Sequence, residues 1–339
     1  MQQNDKTETM ENIITYFKKL ILRYKDAEQE PDSKLTAQDK NVALVLGGGG
    51  ARGYAQIGAI EVLLEHGYHI TSVAGTSMGA LVGGLYAAGK LKELKETVLA
   101  VNRKQVLSLI DVSLGLDHIA TGQKLSALLD EMTGSVHIED LPIPFCCSAS
   151  DLVGGKEYVF NTGLLSRAIR ASISIPGIFS PVRMGDMVLV DGSVHNTLPL
   201  NRVERHEGDL LIAVNPSAPD SKPFRSMLQE NNGKGSARKG KPADSSNNSV
   251  ADKPKNLWTR IKNSIPFPGF QLSDNVVRLA LRVAEVSVQN NTQMSMALNP
   301  PDICVDIPTN LYGLLDFDRG EEIIDYGRKE MEKALGVGC

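Results

Sequence analysis

Gly75-Thr76-Ser77-Met78-Gly79 fits G-x-S-x-G, and the segments on either side decide how it reads. Before it, the apolar run Ile70 to Ala74 has the length of a short buried strand. After it, Ala80-Leu81-Val82-Gly83-Gly84-Leu85-Tyr86-Ala87-Ala88 is small and apolar enough for a helix packed in a core. Strand, sharp turn and helix form the context in which this pentapeptide becomes a nucleophile elbow. The two glycines would flank a turn too tight for a Cβ, leaving Ser77 at its tip. The following helix would bring its positive N-terminal end close to that serine. The same five residues also describe an ordinary Gly-Ser turn without chemistry, so the surrounding chain has to separate the two readings.

Upstream, Val42-Ala43-Leu44-Val45-Leu46 predicts a buried strand running into Gly47-Gly48-Gly49-Gly50-Ala51-Arg52-Gly53, with a helix behind it that turns Ile57, Ile60, Leu63 and Leu64 inward. Gly48, Gly50 and Gly53 satisfy G-x-G-x-x-G, which raises a dinucleotide site. Such a site needs an acidic residue at the end of the second strand to hold the ribose, and here that strand ends in Ala74-Gly75-Thr76-Ser77. A phosphate loop fails as well, since Gly53 is followed by Tyr54 and not by Lys-Ser or Lys-Thr. The remaining use for bare glycine backbone is to bring N–H groups close to developing negative charge, as an oxyanion hole requires. Strand one ends in the glycine loop and strand two in the Ser77 turn, so a parallel sheet would place both at one edge, where α/β sites form.

The chain has 339 residues, 42% hydrophobic and 22% charged, which is ordinary for a soluble globular protein. A net charge of −4 gives no reason to expect a nucleic-acid partner. No apolar run approaches the roughly 18 residues a membrane span needs, and Met1-Gln2-Gln3-Asn4-Asp5-Lys6 lacks a signal-peptide layout. Cys146, Cys147, Cys304 and Cys339 show no metal-ligand spacing, and the adjacent pair in an apolar run reads as buried free thiols. The expectation is therefore a cytoplasmic protein with no metal and no cofactor.

Met10 to Tyr24 predicts an amphipathic helix whose stripe either packs on the protein or lies on an anionic membrane surface, with a polar linker up to Lys40. Further helices are expected over Leu91 to Leu116, Gln123 to Met132, Gly163 to Ser172, Ser273 to Ala297 and Arg319 to Leu335. Pro144 to Asp151 and Lys156 to Phe160 read as a hairpin across Gly154-Gly155. Further strands are expected over Met184 to Val190, Leu210 to Val214 and Ile303 to Ile307. Residues Ser217 to Lys255 lack periodicity and read as a low-complexity insertion. From Lys234 to Lys262 eight basic residues face two acidic ones, directly beside Trp258, Ile265, Phe267 and Phe270. That composition suits either an anionic lipid surface or a solvated linker. The division that follows is residues 1–40, a catalytic core over 41–216, an insertion over 217–270 and a C-terminal helical part over 271–339.

A serine hydroxyl needs a base. None of His66, His69, His118, His137, His195 and His206 falls in a motif. Asp191 ends an apolar strand and precedes Gly192, and a partly desolvated carboxylate can act as a base by itself. Taken together, Gly47 to Gly53 with Arg52, the Gly75 to Gly79 elbow and Asp191-Gly192 resemble the patatin-like phospholipases in order and spacing. Ala171 to Val182 and Asn196-Thr197-Leu198-Pro199 resemble that family around its aspartate. Asp302 to Leu335 is similar to the bacterial branch related to neuropathy target esterase. Ser193 departs from the pattern, standing where that family usually has Gly or Ala.

The resemblance implies an α/β fold of three layers, α/β/α, around a mainly parallel sheet. It also implies a serine lipid acyl hydrolase of phospholipase A or lysophospholipase type, acting on phospholipid or lysophospholipid. Ser77 would be the nucleophile, Asp191 the base of a Ser–Asp dyad, and the N–H groups of Gly48, Gly49 and Gly50 the oxyanion hole. Gly53, Gly75, Gly79 and Gly192 complete the motifs, and Arg52 would hold the glycine loop or meet a phosphate head group. Peripheral contact with the inner face of an anionic membrane is a further expectation. Two other readings stay open: an α/β-hydrolase triad of Ser77, Asp191 and His195 or His206, and a nucleotide-binding or scaffold protein without turnover.

Overall fold

The computed structural model describes residues 40–100, 123–220 and 274–337. Eight strands, β1 (Asn41–Leu46), β2 (His69–Thr76), β3 (Phe145–Asp151), β4 (Lys156–Phe160), β5 (Val182–Met184), β6 (Met187–Asp191), β7 (Leu210–Ala218) and β8 (Ile303–Pro308), form one sheet in the order β5-β6-β3-β2-β1-β7-β8, with β4 also paired to β3. The β3-β2-β1-β7-β8 portion is parallel throughout, while β4 and β6 run antiparallel to β3 and β5 runs antiparallel to β6. A central parallel strand is covered on both faces, so it reads as a continuous apolar run and not as an alternation. Val42 to Leu46 shows this, with every residue fully buried.

The helices are α1 (Ala55–Glu65), α2 (Met78–Ala87), α3 (Leu91–Ala100), α4 (Gln123–Thr133), α5 (Leu165–Ser172), α6 (Asp274–Leu298) and α7 (Gly320–Ala334). They cover the sheet unequally. Val42, Leu44 and Leu46 point into one large core shared with Ile57 and Ile60 of α1, Val82 of α2, Leu94 of α3, Leu129 of α4, Ile169 of α5 and Ile323 of α7. On the opposite face Ala43, Val45, Leu211 and Ala213 form a smaller cluster with Leu198, Leu200 and Val203 of a loop, Met296 of α6 and Cys304 of β8. The architecture is thus α/β/α, with one thick outer layer and one thin one.

Several expected elements differ in detail. Ile57, Ile60 and Leu63 are buried as expected, but Leu64 is 43% exposed, because the next residue round a helix is turned about 100° from its neighbour. The stretch around Gly185-Asp186 forms two strands, β5 and β6, joined at that turn. Strand β7 continues past Val214 to Ala218, so Ser217 lies within the strand, at a break in its register with β8, and is buried. Of the helix expected over Leu91 to Leu116, residues 91–100 are helical and the rest lie outside the described residues, as do the Met10 to Tyr24 helix and the basic stretch Lys234 to Lys262. Among the described residues no helix is long and apolar enough to cross a membrane.

One detail of the sheet positions the site. β3 pairs with β2 through Val73↔Phe145 to Thr76↔Ser148, and its next residues pair with β6 through Ala149↔Asp191 to Asp151↔Leu189. β4 pairs with Cys147 to Asp151 and therefore takes the other edge of β3. β2 and β6 consequently share one edge of β3 and approach each other end to end. The residue that leaves β2 is Ser77, and the residue that closes β6 is Asp191.

Candidate active site

Ser77 sits at the turn between β2 and α2 with φ 55° and ψ −122°, a positive φ that costs a residue with a Cβ roughly 1–3 kcal/mol. The fold compensates with tight packing and a dedicated hydrogen bond. The Ser77 N–H donates to Ser172 Oγ at 2.8 Å, and that hydroxyl donates to the Ser148 carbonyl at 2.7 Å. α5 and β3 thus clamp the turn. A Cβ on Gly75 would collide with the Gly79 carbonyl, and one on Gly79 would collide with the Leu46 carbonyl of β1. In both places backbone passes over backbone, and only glycine permits it.

Ser77 Oγ donates to Asp191 Oδ2 at 2.5 Å. The other carboxylate oxygen, Oδ1, accepts the Ser193 N–H at 2.8 Å, and both Ser77 and Asp191 are almost entirely buried. Burial raises the pKa of Asp191 above the ordinary carboxylate value, while the hydrogen bonds from Ser77 and Ser193 pull it back down. A carboxylate with raised proton affinity, touching a serine hydroxyl, can take that hydroxyl's proton.

The glycine loop lies beside this pair and is held from all sides. The Gly47 N–H donates to the Val214 carbonyl at 2.9 Å, the Gly48 N–H to the Thr197 carbonyl at 3.0 Å, and the Ala51 N–H to the Leu314 carbonyl at 3.0 Å. Gln56 Nε2 holds the Gly47 carbonyl at 2.7 Å, and Ser217 Oγ holds the Gly48 carbonyl at 2.7 Å. Arg52 is buried, with Nε donating to the Pro216 carbonyl at 2.6 Å and Nη1 to the Tyr312 carbonyl at 3.0 Å. Those contacts suit a side chain that fixes the loop. The N–H groups of Gly49 and Gly50 have no partner among the described residues.

The family model for patatin-like phospholipases matches residues 44–203, which span the glycine loop, the elbow and Asp191. The chain carries a patatin-like domain. An NTE family protein of Mycobacterium bovis is 42% identical over 184 residues, covering 54% of this chain and 51% of that protein. Lysophospholipase NTE1 of the yeast Debaryomyces hansenii is 26% identical over 305 residues, covering 88% of this chain and 18% of that protein. The chain thus spans about half the length of the mycobacterial relative and a smaller part of the yeast one. Among solved structures, VipD from Legionella pneumophila overlaps 77% of this chain and 67% of its own at 14% identity and a TM-score of 0.35.

Among the described residues, the hydrogen-bond partners of Ser77 Oγ and of the Asp191 carboxylate include no histidine. His206 is exposed, close to Glu204 and Asp209, and lies just before β7, whose first residues pair with the opposite end of β1 from the glycine loop. His195 lies four residues after Asp191, yet its Nδ1 has no hydrogen-bond partner among the described residues.

Sequence reading missed a supporting set. Thr76 Oγ1 donates to the Asn196 carbonyl at 2.8 Å, and Asn196 Nδ2 donates to Glu157 Oε1 at 2.9 Å and to Asn201 Oδ1 at 2.9 Å. Glu157 also accepts from Ser148 Oγ at 2.6 Å and from Arg202 Nη2 at 2.5 Å. These bonds tie the residue before Ser77 to the loop after Asp191. Asn196 belongs to Asn196-Thr197-Leu198-Pro199, so the family resemblance had marked the segment without its contacts.

Proposed function

We propose that the patatin-like domain is a serine hydrolase of lipid acyl esters. Ser77 Oγ attacks the ester carbonyl carbon, and Asp191 Oδ2 takes the hydroxyl proton. The tetrahedral intermediate places negative charge on the former carbonyl oxygen, which the N–H groups of Gly49 and Gly50 would receive. Gly48, the third glycine expected there, already donates its N–H to Thr197. In this reading it serves by bringing bare backbone against Ser77. Collapse of the intermediate breaks the ester C–O bond. Asp191 returns its proton to the departing alcohol oxygen, leaving an acyl-Ser77 ester. Water then repeats the sequence, giving its proton to Asp191 and its oxygen to the acyl group, and the fatty acid leaves with Ser77 restored.

The observation that carries this reading is the 2.5 Å contact from a strained, buried Ser77 to a buried Asp191 that has no histidine between them. The name of the yeast relative supports lysophospholipid as the first substrate to test, with phospholipid second. Residues 41–216 and 271–339 would act as one catalytic domain, since β8 and α7 complete the sheet and its thick layer. A bilayer substrate also requires a docking surface. The basic, aromatic stretch Lys234 to Lys262 has the composition for peripheral contact with an anionic leaflet at the cytoplasmic face.

The test is Ser77→Ala, assayed on lysophosphatidylcholine, on a short p-nitrophenyl ester and by labelling with a fluorophosphonate. All three signals should vanish while the thermal melt stays cooperative. Hydrolysis by Ser77→Ala at the wild-type rate would remove Ser77 from the mechanism, and a wild-type protein that neither labels nor turns over would favour the scaffold reading.

A further inference from the structure

Among the described residues β2 pairs with β1 and β3, and β6 pairs with β3 and β5, so no ladder joins β2 to β6. The strand that leads into Ser77 meets the chain beyond Asp191 through a side chain, that of Thr76. Its Oγ1 donates to the Asn196 carbonyl at 2.8 Å. Its methyl packs on Gly192, where an added Cβ would lie 2.9 Å from it. The whole side chain is buried.

Residues 192–197 form a compact turn. The Gly192 carbonyl accepts the N–H groups of His195 at 3.0 Å and Asn196 at 2.8 Å, and the Ser193 carbonyl accepts from Thr197 Oγ1 at 3.1 Å. The turn serves the site at both ends. The Ser193 N–H donates to Asp191 Oδ1 at 2.8 Å, and the Thr197 carbonyl accepts the Gly48 N–H at 3.0 Å. From outside, Asn291 of α6 donates to the His195 carbonyl, and Glu157 of β4 accepts from Asn196 Nδ2. Thr76 is the tie that comes from the strand carrying Ser77.

We infer that Thr76 is a positioning residue whose hydroxyl and methyl set residues 192–197 against the end of β2, so that Ser77, the Asp191 carboxylate and the glycine loop are placed from one point. This rests on the Ser77–Asp191 reading of the site. The hydroxyl is the stronger of the two holds. Asn196 is buried, so without that donor its carbonyl is left unpaired and regains a partner only if the turn shifts. A shift of the turn moves the Ser193 N–H from Asp191 and the Thr197 carbonyl from Gly48 together. Thr76 itself is 0% exposed, so it acts through the placement of these groups and not through contact with substrate.

The test compares Thr76→Val, which keeps the shape and a methyl but has no donor, with Thr76→Ser, which keeps the donor and lacks the methyl. On a soluble p-nitrophenyl ester Thr76→Val should lower kcat by about tenfold to 100-fold, the upper value being the scale for a misplacement of about 1 Å. KM should stay within about twofold, and Thr76→Ser should recover most of kcat. A second readout needs no turnover. By NMR hydrogen exchange the Gly48 and Ser193 amides should open about tenfold faster in Thr76→Val than in Thr76→Ser, while the Leu44 amide of β1 behaves alike in both. Equal exchange at Gly48 and Ser193 in the two variants would overturn the proposal, as would equal kcat. If Thr76→Val does not fold, Thr76→Cys replaces it, since a thiol is a weak donor, and the same comparison with Thr76→Ser decides. Faster exchange in Thr76→Val, in a protein whose wild type turns over no ester, would keep the Thr76 assignment and reject the hydrolase reading instead.

Discussion

Replacing Asp191 by Asn separates what this residue does for catalysis from what it does to the fold. The side chain is 3% exposed and receives Ser77 Oγ at 2.5 Å and the Ser193 N–H at 2.8 Å. Asparagine has the same shape, and its Oδ1 can still accept from Ser193. The atom facing Ser77 becomes an amide nitrogen, a donor in place of an acceptor, so Ser77 keeps a neighbour but loses the group that takes its proton. Loss of a general base costs about 10²–10⁴-fold in rate, or about 3–5 kcal/mol in the barrier. Stability should move the other way. Burial raises the pKa of Asp191, so the folded state binds the proton more tightly than the unfolded chain does. Its contribution is then lost as pH rises from the unfolded value through the folded one. Asparagine does not titrate, so Asp191→Asn should melt above the wild type at neutral pH, with the gap closing in acid. Ester hydrolysis and a pH series of thermal melts measure both effects. Turnover within about threefold of wild type would refute the dyad, and a melting gap that ignores pH would refute the account of burial. In the same assay His195→Ala and His206→Ala should both stay active, and collapse of either while folded would restore the triad.

Two further outcomes are expected. Gly79→Ala should destabilise by about 3 kcal/mol, the upper end of what overpacking costs, because its Cβ meets the rigid Leu46 carbonyl and no flexible side chain. A denaturant melt matching wild type would contradict the crossing of α2 over β1. Deleting Lys234 to Lys255 should weaken hydrolysis of anionic vesicles in a salt-dependent way and spare a soluble ester, since each basic residue near such a surface is worth about 1 kcal/mol. Equal vesicle sedimentation by both proteins at low and high salt would make that segment a bystander.

What could be read from sequence was whatever lies within a few consecutive residues. The glycine loop, the elbow and Asp191-Gly192 are each short words whose spacing states a geometry, and the end of β1 at Leu46 followed from its apolar run, while β2 runs past the apolar stretch ending at Ala74 to Thr76. What could not be read was carried by common residues at long separation. Ser172 reaches Ser77 across 95 positions, Thr76 reaches Asn196 across 120, and Ser217 reaches Gly48 across 169. A serine or threonine has no sequence signal for such a partner. Ser217 was also hidden because it opens a stretch whose composition looks structureless, while its backbone completes β7. The commitment of the Gly48 N–H to Thr197 was likewise invisible, since a glycine triplet does not announce which of its amides the fold already uses.

The end-to-end meeting of β2 and β6 along β3 makes the sheet a ruler for the Ser77–Asp191 contact. Thr76↔Ser148 and Ala149↔Asp191 are consecutive rungs, so the separation of Ser77 and Asp191 is counted in backbone hydrogen bonds and not in side-chain reach. A slip of β6 by one rung would carry the carboxylate about 3.3 Å along the strand and turn it to the opposite face. No intermediate setting exists. The Ser77–Asp191 contact is therefore digital with respect to register, while the long connections between these strands can vary in length without altering the gap the ruler sets.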